Sequence, residues 1–231
     1  MIKIEILYPE VCNLYGEVKN IEYLQMCIKD CEIISTKLNE TPAFTKEKID
    51  MIFLGPMTES IQNRVIKSLM PHKEKLKELI DKKTVMLFTG NAYEVLGKYI
   101  EENKEKIECL NILNFYTKRD INNRINQLIQ GKFEKQTILG YKSIFTEVYS
   151  KEKEFISIEK GSGTNLQSKK EGIHINNLYA TSLLGPLLIL NPDFTKHILK
   201  LLKVKPELKF NDDIYKAREV RQKEFDEKVK E

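Results

Sequence analysis

An α/β protein built on a three-layer open, mostly parallel sheet with helices on both faces is what the sequence predicts, and three observations predict it. Two unalternated apolar runs, Met51-Ile-Phe-Leu54 and Thr84-Val-Met-Leu-Phe-Thr89, stop at Gly55 and Gly90, as strands buried on both faces do. Stretches with apolar residues at helical spacing lie between the strand-like ones through the first half of the chain. The second half changes character, with strand-like stretches divided by polar turns, which predicts antiparallel strand additions to the same sheet.

Ile2-Lys-Ile-Glu-Ile-Leu-Tyr8 alternates β-branched and polar residues until Pro9 ends it, and Glu17 to Lys29 carries Ile21, Leu24 and Ile28 at helical spacing. Glu32 to Lys37 reads as a short second strand. Thr58 to Asp81 is helical in pattern with an interruption at Pro71, and a helix is expected from Asn91 to Asn103 after the run that ends at Thr89. Thr137 to Tyr141, Phe145 to Tyr149, Phe155 to Glu159 and Ile173 to Thr181 read as strands. Asp193 to Leu202 reads as a capped helix. Asp212 to Lys230 reads as a charged helix with a thin apolar stripe of Ile214, Ala217, Val220 and Phe225, either a solvated helix or a docking surface for a partner subunit. The expected division is one domain over residues 1–205 and a charged helical extension over 206–231, without internal repeats.

The chain of 231 residues is 41% hydrophobic and 31% charged, which is enough apolar material for a core and too much for a disordered tail. A formal net charge of +4 with interspersed signs argues against nucleic acid as the partner. Leu183 to Leu190 is broken by Gly185 and Pro186, too short for a membrane span, and Glu5 stands where a secretory signal would be apolar. A soluble cytoplasmic protein without cofactor is expected. Cys12, Cys27, Cys31 and Cys109 read as reduced thiols, and His72, His174 and His197 lie too far from them in sequence to suggest a metal site. Gly161-Ser-Gly163 lacks the Lys-Ser/Thr of a phosphate loop and reads as a turn; Lys73 to Lys83 reads as a solvated helix face.

Ligand crevices in open α/β sheets lie at the carboxyl ends of the strands, so the loops after Tyr8, Leu54, Thr89 and Thr181 are the candidate site. The first of them, Leu7-Tyr-Pro-Glu-Val-Cys-Asn-Leu-Tyr-Gly-Glu-Val-Lys-Asn20, with Tyr8, Pro9, Asn13, Tyr15, Gly16 and Asn20 as its marked positions, resembles the opening of the glutamine amidotransferase subunits of lipid II isoglutaminyl synthase. The resemblance continues through Leu96-Gly-Lys-Tyr-Ile100, Asn111-Ile-Leu-Asn-Phe-Tyr-Thr117, Lys170-Glu-Gly-Ile-His174 and Leu183-Leu-Gly-Pro-Leu187, in the order and spacing of the class I glutaminases of cobyric-acid-synthase type.

That resemblance implies a subunit paired with a Mur-ligase-like partner, in which a Cys thiolate at a tight strand-to-helix turn attacks the amide of glutamine, a His carries protons, and ammonia passes on. The family's Cys-Gly-Gly-Tyr-Gln falls on Gly90-Asn-Ala-Tyr-Glu94, and its Gly-Thr-Tyr-Leu-His-Gly-Pro falls on Ala180-Thr-Ser-Leu-Leu-Gly-Pro186. Gly90 therefore stands at the nucleophile position and Leu184 at the base position. The oxyanion loop reads Gly55-Pro-Met57, and Pro56 has no N–H to offer. Asn91, Glu94 and Arg124 complete the vestigial pocket, Arg124 near a family arginine but one residue out of register and read as a surface residue.

A degenerate glutaminase with a scaffolding or regulatory role follows as the expectation. Two other readings stay open: a binding protein that reuses the emptied pocket, and an active glutaminase with Cys12 or Cys109 as relocated nucleophile. The latter also needs a base, and His174 lies ten residues short of the family position. Thr89 reads as a strand-end residue.

Overall fold

The computed structural model describes residues 1–228. Five strands of its central sheet run parallel: β1 (Ile2–Leu7), β2 (Cys31–Thr36), β3 (Met51–Leu54), β4 (Val85–Thr89) and β14 (Leu178–Thr181). The antiparallel β13 (Ile173–Ile175) closes one edge, so that the six lie in the order β13-β14-β4-β3-β1-β2. Strand alternation sorts the core in two. Leu7, Ile52, Leu54, Met86 and Phe88 pack against α2 (Glu59–Leu69) and α3 (Lys73–Asp81) on one face. Ile4, Ile6, Met51, Phe53, Val85 and Leu87 pack on the other against α1 (Lys19–Cys27), α4 (Leu187–Leu190) and α5 (Pro192–Leu201). Alternating residues of one strand are thus claimed by opposite helical layers, which is why the sequence of these strands shows no alternation. Pro71 falls in a single 3₁₀ turn, Met70–His72, between α2 and α3.

Four expectations change. The chain over 91–103 is not a helix: a 3₁₀ turn over Gly90–Leu96 gives way to a hairpin of β5 (Tyr99–Glu102) and β6 (Glu105–Glu108). Asn103 and Lys104 both take positive φ at its tip, the two-residue turn whose twist matches flanking antiparallel strands. Period-2 burial, with Ile100 inside and Tyr99 and Glu101 at the surface, overrides the helical spacing read there.

Secondly, only β13 extends the central sheet. The other late strands are β7 (Phe115–Arg119), β8 (Ile125–Phe133), β9 (Gln136–Ile144), β10 (Thr146–Ser150), β11 (Ile156–Lys160), β12 (Lys170–Glu171) and β15 (Leu183–Leu184). With the hairpin they build two sheets of their own, β10-β7-β5-β6 and β12-β11-β8-β9-β15. Thirdly, Asn176 at positive φ splits the stretch from Ile173 to Thr181 into the hairpin β13–β14. Lastly, the stripe on α6 (Asn211–Lys228) differs from the expected one. Ala217 and Val220 are exposed, and Ile214, Arg218, Gln222 and Phe225 face the protein. Arg218 donates to the Thr137 carbonyl at 3.0 Å, and Gln222 Nε2 to Gln130 Oε1 at 2.8 Å. Val229 and Lys230, at the end of the expected helix, lie outside the described residues.

Candidate functional site

The parallel strands end level, Leu7 beside Leu54, Leu54 beside Phe88, and Thr89 beside Thr181, so the four loops that follow them converge. Their centre is Gly90. It has φ +62°, the left-handed conformation of a tight turn at a strand end, and it opens the 3₁₀ turn that follows β4. A Cβ on Gly90 would stand 2.5 Å from Pro56 Cβ and 3.2 Å from Leu184 Cδ2. The backbone thus makes a tight strand-end turn, and Pro56 and Leu184 occupy the volume above it. Leu184 is itself buried and held on β15 against β9.

The Pro56 loop is pinned from three directions. Leu14 N–H donates to the Pro56 carbonyl at 3.1 Å. Asn91 brackets Met57, accepting from its N–H at 3.0 Å and donating to its carbonyl at 2.8 Å. Gly55 approaches the Cys12 carbonyl so closely that a Cβ would lie 2.4 Å from that oxygen. Opening this loop to admit a side chain at Gly90 therefore breaks a packed and hydrogen-bonded arrangement.

The opening loop also braces the Gly185-Pro186 turn. Tyr8, buried at positive φ, accepts or donates to Ser68 Oγ at 3.0 Å, and Pro9 follows it in the turn. Asn13 Oδ1 accepts from Val18 N–H at 2.9 Å, with Tyr15 and Gly16 between them at positive φ. Tyr15 reaches across to Ser143 Oγ at 3.1 Å. Glu17, fully buried, accepts from Gly185 N–H at 2.7 Å and from Asn20 Nδ2 at 2.8 Å, while Asn20 Oδ1 accepts from Leu188 N–H at 2.7 Å. Burial pushes the Glu17 carboxyl above its ordinary range against these hydrogen bonds. The loop's polar residues are thus the clamp that places Leu184 and Gly185.

Glu94 lies buried below Asn91. It accepts from Thr146 Oγ1 and, at 3.1 Å, from Gln62 Nε2, and its carboxylate is 3.7 Å from Arg119. Arg119, also buried, is 3.7 Å from Glu102 and donates to Gln62 Oε1. Burial raises the Glu94 carboxyl pKa, and the Arg119 guanidinium opposes that rise. Glu94 is therefore a partner of a buried arginine.

Above this cluster a cavity of about 70 Å³ is lined by Tyr15, Pro56, Asn91, Glu94 and Arg124. An open cleft of about 550 Å³ adjoins it, sharing Arg119, Arg124 and Phe145. Arg124 is exposed as a surface residue and lies 4.4 Å over the Phe145 ring.

Both candidate thiols are sealed. Cys12 is buried with its sulfur 3.8 Å from Met57 Sδ, and burial raises its pKa well above the ordinary thiol value. Burial pushes the Cys109 thiol up to about 12. His174 lies on β13, its ring stacked 4.6 Å from Tyr179 and its Nε2 2.8 Å from the Asn176 carbonyl. Among the described residues no three His, Cys, Asp or Glu side chains group as metal ligands.

Glu17, Gln62 and Arg119 went unmarked in the sequence. Arg119 had a signal: Phe115, Thr117 and Arg119 alternate with Tyr116 and Lys118, which puts the arginine on the buried face of β7. Glu17 carried none beyond its place in the loop.

The architecture is that of glutamine amidotransferases. A crystal structure of a glutamine amidotransferase superposes with TM-score 0.57 at 9% identity, covering 87% of this chain and 99% of that one. The PurLQS structure from Thermotoga maritima gives TM-score 0.55 at 8% identity, over 96% of this chain and 99% of that one. The CobB/CobQ-like glutamine amidotransferase domain matches residues 3–190, and the chain belongs to that family. Within the family it is GatD-like. It is 31% identical over 81% of its length, and 79% of the relative's, to the GatD subunit of lipid II isoglutaminyl synthase (glutamine-hydrolyzing) of Staphylococcus aureus strain N315. To the same-named subunit of Streptococcus pneumoniae strain ATCC BAA-255 / R6 it is 23% identical, over 90% of this chain and 82% of the relative. No described helix is long and apolar enough to cross a membrane.

Proposed function

We propose that this chain is a noncatalytic GatD-like subunit that docks a Mur-ligase-like subunit in the cytoplasm and supports amidation of a peptidoglycan precursor with free ammonia. The observation that carries this reading is the contact of Pro56 and Leu184 with the Gly90 turn. Glutamine hydrolysis needs a thiolate at the strained turn, a base in hydrogen-bond reach and N–H donors aimed at the oxyanion. At these places stand a glycine, a leucine and a proline, and the three fill one another's space. The opening loop, which supplies none of these three positions but braces the fold, resembles the family's opening. On this reading residues 1–205 are the docking domain and 206–231 its extension.

The test is reconstitution with the Mur-ligase-like subunit from the same cell and ammonium as nitrogen source. The expected result is a stable heterodimer whose amidation by ammonium exceeds that of the ligase subunit alone. Equal amidation with and without this chain overturns the support role.

The cleft bounded by Arg119 and Arg124 favours one second reading, a binding protein for a small molecule that reuses the emptied site. Failure to co-purify with any Mur-ligase-like protein supports it. The third, an active glutaminase with a relocated nucleophile, is opposed by the buried, high-pKa thiols of Cys12 and Cys109.

A further inference from the structure

The sheet β10-β7-β5-β6 covers the core with one face and turns the other outward, and its outer residues form two straight rows. Strand pairing places Tyr149 beside Tyr116, Tyr116 beside Tyr99, and Tyr99 beside Glu108. The next row runs Glu147, Lys118, Glu101, Lys106. The tyrosine rings stack in a continuous ladder, Tyr99 to Tyr116 and Tyr116 to Tyr149 each at 5.2 Å between centroids. Lys106 lies 4.4 Å over the Tyr99 ring and Lys118 5.5 Å over the Tyr149 ring. All eight side chains are exposed or half-buried. Among the described residues none of the four charges in the second row makes an ion pair within 4.0 Å, and Glu147 accepts a hydrogen bond from the Tyr149 hydroxyl at 2.6 Å.

Rows of this order are complementary to themselves. A two-fold axis parallel to the strands and passing between β7 and β5 keeps each row in register and reverses its direction. Glu147 then faces Lys106 of the second copy, Lys118 faces Glu101, Tyr116 faces Tyr99, and Tyr149 faces Glu108. Every charge in the alternating row meets its opposite, and the central contact is tyrosine on tyrosine, a side chain enriched at interface hot spots. A second copy matches this order by symmetry. We propose that the outer face of β10-β7-β5-β6 is a homodimer surface, occupied by a second copy of this chain.

Sedimentation velocity on the full chain from 1 to 100 μM, at low and high salt, reads the association directly. The expected result is a dimer that weakens as salt rises, since the facing charges are screened. Lys118→Glu and Glu101→Lys each set like charges face to face and are expected to raise the dimer dissociation constant at least tenfold, with the fold of each checked by circular dichroism. Mixing the two single variants restores both facing pairs between copies, so the mixture is expected to dimerise where neither does alone. That rescue in trans separates contact between copies from any effect within one sheet. A wild-type chain that stays monomeric at 100 μM, a dimer indifferent to both substitutions, or a mixture without rescue overturns the proposal.

Discussion

Gly90 shows how one residue is set by its neighbours. Its positive φ suits glycine on backbone grounds, and Pro56 at 2.5 Å from an added Cβ forbids any other side chain on packing grounds. Gly90→Cys alone is expected to lower the unfolding free energy by about 1–3 kcal/mol, the usual effect of overpacking a filled site. Read by urea denaturation in a double-mutant cycle with Pro56→Gly, the two changes should couple by about 1 kcal/mol or more, as contacting residues do. Strictly additive effects would show that the two positions do not compete for the same space. On the proposed reading, Gly90→Cys with Leu184→His is expected to release no glutamate from glutamine while Pro56 stays, because Pro56 fills the space an added Cβ at 90 needs.

At the scale of elements, the β13–β14 edge, α5 and the tip of the β8–β9 hairpin meet in an aromatic cluster around Tyr179. His174 stacks on one side of that ring, and His197 Nε2 lies 2.6 Å from its hydroxyl. Phe133, Phe155 and Phe194 fill the remainder. Burial lowers both imidazole pKa values, with Lys153 adding to the effect at His174, Lys200 at His197, and Glu134 opposing it at both. Each histidine is therefore neutral in the folded chain over a range where the unfolded chain protonates it, at an ordinary value of about 6.5. The stability this contributes is present above pH of about 6.5 and is lost as pH falls through the lower folded values. Urea unfolding at successive pH values from 7 down to 5 should show stability declining, and His174→Gln with His197→Gln should flatten the decline. An unchanged slope in that variant would assign the pH dependence to other groups.

The same scale shows which elements were legible in the sequence. Strands buried on both faces were plain, because two helical layers leave an unbroken apolar run such as Met51 to Leu54. The helix expected over 91–103 failed because Val95, Leu96 and Ile100 are apolar at helical spacing by coincidence, one pair on a turn and the third inside a strand. Strands β7 and β8 hid behind polar residues, Lys118 and Arg119 in the first and Asn126, Gln127 and Gln130 in the second. A strand that carries a buried arginine breaks the rule that inward residues are apolar, and only its alternation remains to be read.

For the whole molecule, four loops at one end of a parallel sheet converge on the Gly90 turn. The loops were legible because topology fixes where strand ends gather. Their packing was not, since contact of Pro56 with Gly90 joins residues 34 apart in sequence, a relation that periodicity does not carry. Glu94 illustrates the same limit: the sequence shows a carboxylate at a pocket position, and the structure shows its engagement by Arg119, Gln62 and Thr146.

On the proposed reading the Gly90 turn does not hydrolyse glutamine, and glutamate release by the purified chain together with a Mur-ligase-like subunit measures this. The expected result is no release above the ligase subunit alone, at any glutamine concentration, from a complex that remains intact. Sustained release that disappears on Cys12→Ala or Cys109→Ala would contradict it and move the chemistry to a thiol that the fold now buries.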